Sequence, residues 1–304
     1  MELTTPSNLQ IQEATGWQVS SRTAIRKADL SIVERVHFQP DEDSSSHAIL
    51  KTTCSALDHE SHAYALLEEF RICAASLIAC GKQTAGNDAW LLLTDAGEDT
   101  EFEPSTAIVG QALEDLAQMH QRYLGQVDSL AGIPRRDPEW MSSSAKEITD
   151  GIRKLSHEHD LGLNETTLIS FQRRVEGLSK QFGVHQLTLI HGDFDPGNLH
   201  ILPTGVVSAL DWGLCHVNTP LADLAHMVER FNDQEQIELV DRYLRCLGVD
   251  IGIHPANIVG WGSLVHRTFF VWWHSLIVAN GWSRAEDYLS TIGSRVEAIA
   301  SSTL

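Results

Sequence analysis

The stretch that decides the fold is residues 187–225, LTLIHGDFDPGNLHILPTGVVSALDWGLCHVNTPLADLA. Apolar residues 187–190 end at a His-Gly pair, which predicts a buried strand that leads into a tight loop. Residues 199–202 and 206–212 are two further strand-like runs, and the Pro-Thr-Gly sequence between them is typical of a turn. The stretch therefore predicts a strand, a polar loop and a β-hairpin.

The hairpin register predicts a site for a divalent cation. It returns Asp211, near the end of the second strand, to the side of Asn198, at the start of the first. Paired strands lie about 4.8 Å apart, so side-chain oxygens of both residues can reach one ion. Mg²⁺ prefers such oxygen ligands and keeps phosphate oxygens in its remaining positions. Asp193 on the preceding loop is then placed to meet a hydroxyl nucleophile that faces the γ-phosphate.

The same residues also have a purely structural interpretation. Asp, Asn, Gly and Pro are ordinary loop residues, and the triplet His191, Gly192 and Asp193 alone would be a weak signal. Here the triplet is followed in order by Asn198, a hairpin, an Asp-Trp-Gly sequence and a Pro-x-x-Asp-Leu-Ala sequence. This ordered combination favours a phosphoryl-transfer site.

The segment resembles the catalytic core of the aminoglycoside phosphotransferase and choline kinase family, which shares the protein-kinase fold. The resemblance implies that Asp193 is the catalytic loop aspartate, that Asn198 and Asp211 are metal ligands, and that His191 and Asp223 support the loop. It also implies ATP or GTP as co-substrate and Mg²⁺ as cofactor.

One departure from the family pattern is visible before Asp223. The usual Gly-x-Pro is replaced by Asn218, Thr219 and Pro220. Asn tolerates the left-handed backbone conformation better than most residues, so we expect the turn to be kept.

The segment also distinguishes this chain from a protein kinase. No Arg stands between His191 and Asp193, where it would contact a phosphorylated activation loop. The stretch from Asp211 to Asp223 is too short for an activation segment with a peptide-docking platform. A small-molecule kinase fits better.

Length and composition agree with a two-lobed protein. Hydrophobic residues make up 42% of the chain, which is enough to form a sizeable core. A length of 304 residues is long for a single compact core. With the resemblance, this predicts an α+β, protein-kinase-like fold. Residues 1–94 would form a small antiparallel-sheet, nucleotide-binding N-lobe, and residues 95–304 a larger, mainly helical lobe for catalysis and acceptor binding.

Charge and cysteine content restrict the partners and the compartment. The net charge of −19 disfavours nucleic acids and anionic membranes and would attract cationic ligands. Five cysteines without a CxxC pair favour reduced thiols in a cytoplasm and argue against a zinc site. We expect no signal peptide and no membrane span. The oligomeric state is left open.

Alternating residues 31–38 and 47–53 predict two antiparallel strands joined by residues 40–46. Asp58 is expected to cap the next helix, and residues 90–94 form another buried strand. An amphipathic helix is expected over residues 106–124, stopped by Gly125.

Lys51, in the middle of a predicted strand, is the expected partner of the nucleotide phosphates. A buried lysine needs a carboxylate, and Glu60 follows one short loop later, which resembles the family's strand lysine and helix glutamate. Glu68 and Glu69 are the competing choices. No glycine-rich loop precedes Lys51, so Ser31 is the candidate for a phosphate-binding loop.

The purine is expected to meet an inter-lobe hinge at residues 93–96, where the predicted strand at residues 90–94 ends. The hinge would offer its backbone at Leu93, Thr94, Asp95 and Ala96. Nothing in these residues distinguishes ATP from GTP.

Acceptor recognition is expected from the region after Asp223. Carboxylates able to meet a cationic acceptor are Glu229, Asp233 and Glu235. The aromatic stripe that contains Phe270 and Trp273 is more typical of a core, although its other side could wall the acceptor pocket. The 15 histidines show no metal-ligand spacing and are interpreted as scattered.

The sequence therefore predicts an enzyme that transfers the γ-phosphate of ATP or GTP to a hydroxyl of a small acceptor, for which a cationic aminoglycoside is the leading example. A kinase for a choline-, aminosugar- or homoserine-like metabolite is the alternative within the same class. A catalytically silent, kinase-fold nucleotide-binding module is the alternative outside it.

Overall fold

The computed structural model describes residues 3–28, 30–39, 47–83, 88–97, 103–181, 187–249, 254–281 and 285–302. The described residues form nine strands: β1 (Val19–Lys27), β2 (Ser31–Phe38), β3 (His47–Thr53), β4 (Leu77–Lys82), β5 (Ala89–Thr94), β6 (Thr188–Ile190), β7 (Leu199–Ile201), β8 (Val207–Ala209) and β9 (His216–Asn218). The helices are α1 (Asn8–Thr15), α2 (Glu60–Leu67), α3 (Thr106–Tyr123), α4 (Pro138–His159), α5 (Glu165–Glu176), α6 (Leu178–Gln181), α7 (Leu221–Val228), α8 (Asp233–Leu247), α9 (Pro255–Ala279) and α10 (Ala285–Ser301).

These elements form two compact units. The first contains Met1–Glu103 and Asn198–Leu214, and the second contains Pro104–Gly197 and Cys215–Leu304. The first carries a small antiparallel sheet and the second is mainly helical, so the predicted fold class is confirmed. The predicted division into lobes at residues 1–94 and 95–304 stays a prediction. Each of the two compact units is made of two separate segments of the chain.

The sheet of the first unit has five antiparallel strands in the order β1-β2-β3-β5-β4. The predicted strands over residues 31–38, 47–53 and 90–94 are confirmed as β2, β3 and β5. Strands β1 and β4 were not predicted, because both are largely solvent-facing and lack a buried alternating pattern. The predicted connection at residues 40–46 lies outside the described residues.

The two faces of this sheet have different roles. Alternate residues of β2, β3 and β5 pack with Ile11 of α1 into one core: Val36, Phe38, Ala48, Leu50, Trp90 and Leu92. Successive side chains of a strand point to opposite faces. Lys51, which follows Leu50 and pairs in register with Leu91, therefore lies on the face away from α1.

Helix α2 begins at Glu60, and the prediction that Asp58 caps it is wrong. Residues 55–57 form a 3₁₀ turn, and Asp58 has helical backbone angles, φ −66° and ψ −15°. A capping side chain needs an extended backbone to reach the first free N–H groups. The Asp58 carboxylate instead accepts a hydrogen bond from Lys82 Nζ at 2.7 Å.

The predicted hairpin is present as β7 and β8, with Leu199 opposite Ala209. It belongs to the first unit, where Ala209 N donates to Ile72 O at 2.7 Å. The prediction that the second strand continues to residue 212 is wrong. Asp211 takes a left-handed conformation with φ 61°, and a 3₁₀ turn follows it.

In the second unit, the amphipathic helix predicted over residues 106–124 is confirmed as α3. Ser105 caps its start, and Gly125 follows its end with φ 72°. Helix α3 packs against α8, and α7 packs against α9. At the second contact a Cβ on Gly262 would lie 2.0 Å from the Leu221 carbonyl oxygen, so glycine is required for this close approach.

Candidate active site

The loop after β6 is tied to helix α7 by one buried carboxylate. Asp223 Oδ2 accepts a hydrogen bond from the His191 N–H at 2.7 Å, and Oδ1 accepts one from the Gly192 N–H at 2.9 Å. Gly192 has φ 84°, a conformation that a side chain disfavours. Asp223 lies in the first turn of α7, where the helix N-terminus also favours its charge.

Asp223 is also supported from the opposite side. His120 Nε2 of α3 lies 3.5 Å from Asp223 Oδ2, and His120 Nδ1 lies 2.6 Å from the hydroxyl of Tyr243 in α8. Burial alone would raise the pKa of Asp223, but His120, His191 and the His191 N–H together hold it below its usual value. The carboxylate therefore stays ionised and anchors the loop.

The turn before α7 differs from the prediction. Asn218 is the last residue of β9 and pairs with Thr188 of β6, so its backbone is extended and not left-handed. Its side chain replaces the expected glycine turn: Nδ2 donates to Arg136 O at 2.9 Å, and Oδ1 accepts from Thr219 N at 2.7 Å. The turn is thus held by hydrogen bonds of the asparagine amide.

Asp193, the predicted catalytic residue, is the most exposed acid of the loop, with 37% of its side chain accessible. Its N–H donates to His191 Nδ1 at 3.3 Å. His226 Nε2, on α7, lies 3.5 Å from Asp193 Oδ1. Burial lowers the pKa of His226, but Asp193, Glu229 and Asp195 outweigh burial and raise it to about 9. At neutral pH an imidazolium therefore faces the Asp193 carboxylate.

In the first unit, Lys51 lies between two carboxylates. Its Nζ donates to Glu60 Oε1 at 2.6 Å and to Asp211 Oδ1 at 2.7 Å. The structure thus brings together the predicted lysine and glutamate and adds Asp211, which was predicted only as a metal ligand. Glu68 and Glu69 lie after the last residue of α2.

Burial and charge pairing act in opposite directions on the pKa values of Lys51 and Glu60. Burial lowers the pKa of Lys51, but Asp211 and Glu60 outweigh it, and the net pKa of Lys51 is raised. Burial raises the pKa of Glu60 to about 7 despite the opposing charge of Lys51. Glu60 Oε2 is buried and has no hydrogen-bond partner within the described chain. The lysine therefore carries its charge permanently, while Glu60 gains a proton readily.

The predicted metal ligands are neighbours across the hairpin. Leu210 N donates to Asn198 O at 2.8 Å, which fixes Asn198 next to the residue that precedes Asp211. Both side chains offer oxygen atoms, and 44% of the Asp211 side chain is accessible. An amide and a carboxylate oxygen on a reachable surface fit the ligand preference of Mg²⁺.

The predicted nucleotide-binding backbone is partly committed to the protein itself. Thr94 N donates to Ser76 O at 2.9 Å, and Ala96 O lies 3.2 Å from His200 Nε2. The side chain of Asp95 forms a salt bridge with Arg35 at 2.7 Å. Leu93 lies within β5 and pairs with Ile49 and Leu77. A purine at this segment therefore has fewer backbone partners than the sequence suggested.

Ser31 is the first residue of β2, and its carbonyl accepts a hydrogen bond from Ala28 N at 2.9 Å. It therefore stands where the turn between β1 and β2 ends. A role in phosphate binding stays a prediction.

The three carboxylates predicted for the acceptor have different surroundings. Glu229 ends α7 and pairs with Arg267 at 2.9 Å and with His226 at 3.8 Å. Burial raises the pKa of Glu229, but His226 and Arg267 outweigh it and lower the pKa to about 2. Glu235 forms a capping box with Asn232, and Asp233 is an exposed first residue of α8. Glu229 alone is joined through His226 to Asp193.

The aromatic stripe of α9 is mostly core, as expected, and both Phe270 and Trp273 are buried. Phe270 takes part in a cluster of rings that sequence reasoning missed. His266 stacks on His226 with centroids 3.8 Å apart, and its centroid lies 4.6 Å from that of Phe270.

The interpretation of the histidines as scattered is therefore wrong for this cluster. His266 and His274 share the α9 face with Phe270 at intervals of four residues, and this spacing was a readable signal. Arg295 of α10 lies over the Phe270 ring, with Cζ 5.0 Å from the centroid. No sequence pattern pointed to Arg295.

Two features define the class of protein. One is an exposed aspartate on a loop that a buried aspartate holds, and the other is a strand lysine paired with a helix glutamate. The class is that of phosphotransferases with a protein-kinase-like fold, which act on hydroxyl groups. The chain matches the family model APH, the phosphotransferase enzyme family, over residues 43–257. The chain belongs to this family, whose members are small-molecule phosphotransferases, and it is a phosphotransferase with an alcohol group as acceptor.

Solved structures share this fold. A protein of Ralstonia eutropha, provisionally assigned as an aminoglycoside phosphotransferase, is 14% identical with a TM-score of 0.67, over 96% of each chain. Ethanolamine kinase of Plasmodium vivax is 11% identical with a TM-score of 0.66, over 94% of this chain and 84% of its own. Macrolide 2′-phosphotransferase of Brachybacterium faecium is 12% identical with a TM-score of 0.63, over 93% and 95%. At these identities the likeness concerns the fold.

No curated protein sequence matches the chain. Among the described helices, none combines the length and the apolar character needed to cross a membrane.

Proposed function

We propose that this phosphotransferase is a small-molecule kinase that transfers the γ-phosphate of ATP or GTP, with Mg²⁺, to a hydroxyl of a small acceptor in the cytoplasm. The observation that carries the proposal is the Lys51 ammonium between Glu60 and Asp211, at 2.6 and 2.7 Å. A buried lysine held in this way can bind phosphate oxygens without losing its charge. Two relatives of this fold are described in complex with GDP, which supports a nucleotide co-substrate.

In this proposal each residue has one task. Asp193 orients the acceptor hydroxyl and accepts its proton, and Asp223 fixes the loop that presents Asp193. Lys51 binds the nucleotide phosphates, and Asn198 with Asp211 would hold Mg²⁺, which neutralises charge on the phosphates when bound. A loose transition state needs this positioning and charge stabilisation more than covalent chemistry.

Protonated His226 supports the assignment of Asp193. A cation 3.5 Å from Oδ1 stabilises the ionised carboxylate. The carboxylate can therefore accept a hydrogen bond from the acceptor hydroxyl and take its proton as the oxygen approaches phosphorus.

An acceptor assay with a matched pair of variants tests the proposal. ADP or GDP release would be measured with Mg²⁺, either nucleotide and a panel of alcohols that includes aminoglycosides, choline, aminosugars and homoserine. Asp193→Asn should lower turnover about 10²-fold or more, as expected for loss of a general base, without changing nucleotide affinity. Asp241→Asn, on the exposed side of α8, is the control. Near-normal turnover of Asp193→Asn would refute the assignment.

The alternative of a silent nucleotide-binding module has a distinct signature. Mg²⁺ with nucleotide would raise the melting temperature, but no acceptor would promote release of the diphosphate. The presence of Lys51, Asp193, Asn198 and Asp211 together favours the kinase.

A further inference from the structure

Nitrogen atoms without hydrogen-bond partners cluster next to Asp193. Within the described chain they include Nε2 of His266 and Nη1 of Arg295, both buried, whereas His226 beside them is paired with Asp193 at 3.5 Å and with Glu229 at 3.8 Å. They form a row, because His226 stacks on His266, His266 contacts Phe270, and Arg295 lies over Phe270. Buried donors without acceptors are unfavourable, so such a row is suited to a ligand rich in oxygen atoms.

Arg295 differs from the other arginines around this row. Arg267 is paired with Glu229 at 2.9 Å, and Arg230 with Asp195 at 3.5 Å. In the part of the chain that the structure describes, no carboxylate lies within 4.0 Å of the Arg295 guanidinium. Burial lowers the pKa of Arg295, yet an arginine remains protonated at neutral pH. It is thus a half-buried cation that no described carboxylate contacts, with Glu229 and Asp193 the acidic groups near enough to favour its charge.

The surroundings favour an anion and disfavour a cation. An ammonium group beside Phe270 would meet the unpaired guanidinium of Arg295, while the nearest carboxylates, Asp193 and Glu229, are already paired with protonated His226 and Arg267. Glu229, the one acidic residue that was predicted for the acceptor and lies here, is already neutralised by Arg267 and His226. Phe270 shields one side of Arg295 from water, which strengthens its interaction with a charged partner.

A metal ion is a poorer occupant. Asp193, His226 and His266 offer possible ligand atoms within 4.8 Å of one another. The two imidazole rings are stacked with an angle of only 22° between their planes. A metal ion lies close to the plane of each imidazole that binds it, and two nearly parallel rings cannot both meet this condition.

We propose that the acceptor carries an anionic oxygen group, a carboxylate or a phosphate, which Arg295 binds above Phe270 while the acceptor hydroxyl faces Asp193. The guanidinium can donate two parallel hydrogen bonds to either group. His266 lies between Arg295 and His226 in this row, and its unpaired Nε2 can bind a further hydroxyl or ring oxygen. The substrate class is then a hydroxy acid or a phosphorylated alcohol, and this proposal rests on the kinase function proposed above.

The test uses glucose and three sugars that each differ from glucose at one group. Glucuronate carries a carboxylate, glucose 6-phosphate a phosphate, glucose is neutral and glucosamine is cationic. Binding would be measured by ligand-observed NMR and transfer by nucleoside diphosphate release with Mg²⁺ and ATP or GTP. We expect glucuronate, glucose 6-phosphate or both to bind and react better than the other two, and their ranking separates carboxylate from phosphate recognition.

Three variants locate the effect. Arg295→Gln should weaken binding of the anionic sugar about tenfold or more and raise its KM, with the KM of the nucleotide unchanged. Arg295→Lys keeps the charge and should recover part of the loss, which a merely structural role would not require. Arg245→Gln, on the exposed side of α8, is the control. Melting temperatures of all variants check that they are folded.

The outcomes separate the two proposals. Transfer that depends on Asp193 but proceeds equally well to glucose or glucosamine, and is unaffected by Arg295→Gln, overturns the anion site and leaves the kinase. Arg295-dependent binding of an anionic sugar without any transfer supports the anion site and counts against the kinase. If neither anionic sugar binds wild-type protein more tightly than glucose does, the anion site is overturned.

Discussion

Replacing Asp223 by alanine removes the anchor of the catalytic loop. The carboxylate is fully buried and accepts the N–H groups of His191 and Gly192 at 2.7 and 2.9 Å. Alanine leaves both N–H groups buried without an acceptor. It also removes the anion that faces His120 at 3.5 Å. We therefore expect a loss of stability that accompanies the loss of activity.

The size of this loss follows from the two hydrogen bonds. Each buried donor left unpaired costs about 1–3 kcal/mol, so the two N–H groups together cost about 2–6 kcal/mol. Because the contributions overlap, we expect the free energy of unfolding to fall by about 3–5 kcal/mol. At about 2 °C per kcal/mol for a large domain, the melting temperature should drop by about 6–10 °C.

The effect should depend on pH with a defined sign. The pKa of Asp223 is lowered in the folded state. Its contribution to stability is thus fully present above the unfolded pKa of about 3.9 and is lost as pH falls through the folded pKa. The difference in stability between wild type and Asp223→Ala should be constant above about pH 5 and shrink in stronger acid.

Urea denaturation at several pH values, with calorimetry, measures these quantities. Asp241→Ala, an exposed substitution on α8, should change stability by no more than about 0.5 kcal/mol. An Asp223→Ala protein with an unchanged melting temperature and no activity would refute the anchoring role and place Asp223 in the chemistry itself.

Three further substitutions test other parts of the structure. Asp211→Ala should abolish the rise in melting temperature that Mg²⁺ adds to nucleotide binding, since Asn198 alone is a weak ligand; an unchanged Mg²⁺ effect would contradict the proposed metal site. In the folded protein the pKa of His226 is raised to about 9, against about 6.5 in the unfolded chain, so His226 stabilises the fold fully below pH 6.5 and loses this effect as pH rises through 9. His226→Gln should therefore flatten the decline of stability between pH 6.5 and 9. Identical pH profiles of the two proteins in urea denaturation would argue against the raised pKa. Gly262→Ala should destabilise the protein by about 1–3 kcal/mol, because its Cβ would lie 2.0 Å from a backbone oxygen. Gly151→Ala, with open space around it in α4, should stabilise the protein by about 0.5–1 kcal/mol. Equal melting temperatures of the two variants would show that α7 and α9 can separate at no cost.

The parts of the protein that were readable from sequence are those whose contacts are local or regular. Strands β2 and β3 have alternating sequences, β5 is a continuous buried apolar run, and helix α3 has an apolar stripe with a glycine stop. The order of the residues on the loop and hairpin carried the family resemblance. Strand β1, by contrast, is exposed along most of its length, so its sequence lacks the buried alternation on which prediction depends.

The errors at Asp58, Asn218 and Asp211 share a physical cause. Each residue type has more than one local conformation, and tertiary contacts selected between them. Asp58 pairs with Lys82 of β4, and Asn218 is held extended by its pairing with β6. Asp211 takes φ 61° and contacts Lys51, far away in sequence. Residue preference alone could not decide these cases.

The prediction of a cationic acceptor rests on net charge, which describes the whole surface and not one site. A balance of −19 predicts attraction of cations at long range, yet salt screens such a field over about 8–10 Å. Next to Asp193, residues from α7, α9 and α10 bring together protonated His226, the Arg267–Glu229 pair and Arg295, which no carboxylate of the described residues contacts. These elements are distant in sequence, so no spacing announces the cluster. An acceptor bound within a few ångströms responds to these groups more than to the remote acidic surface, and we therefore expect its KM to stay flat or fall as ionic strength rises. An acceptor KM that rises steeply with salt, with the KM of the nucleotide constant, would instead support a cationic substrate drawn in by the surface charge.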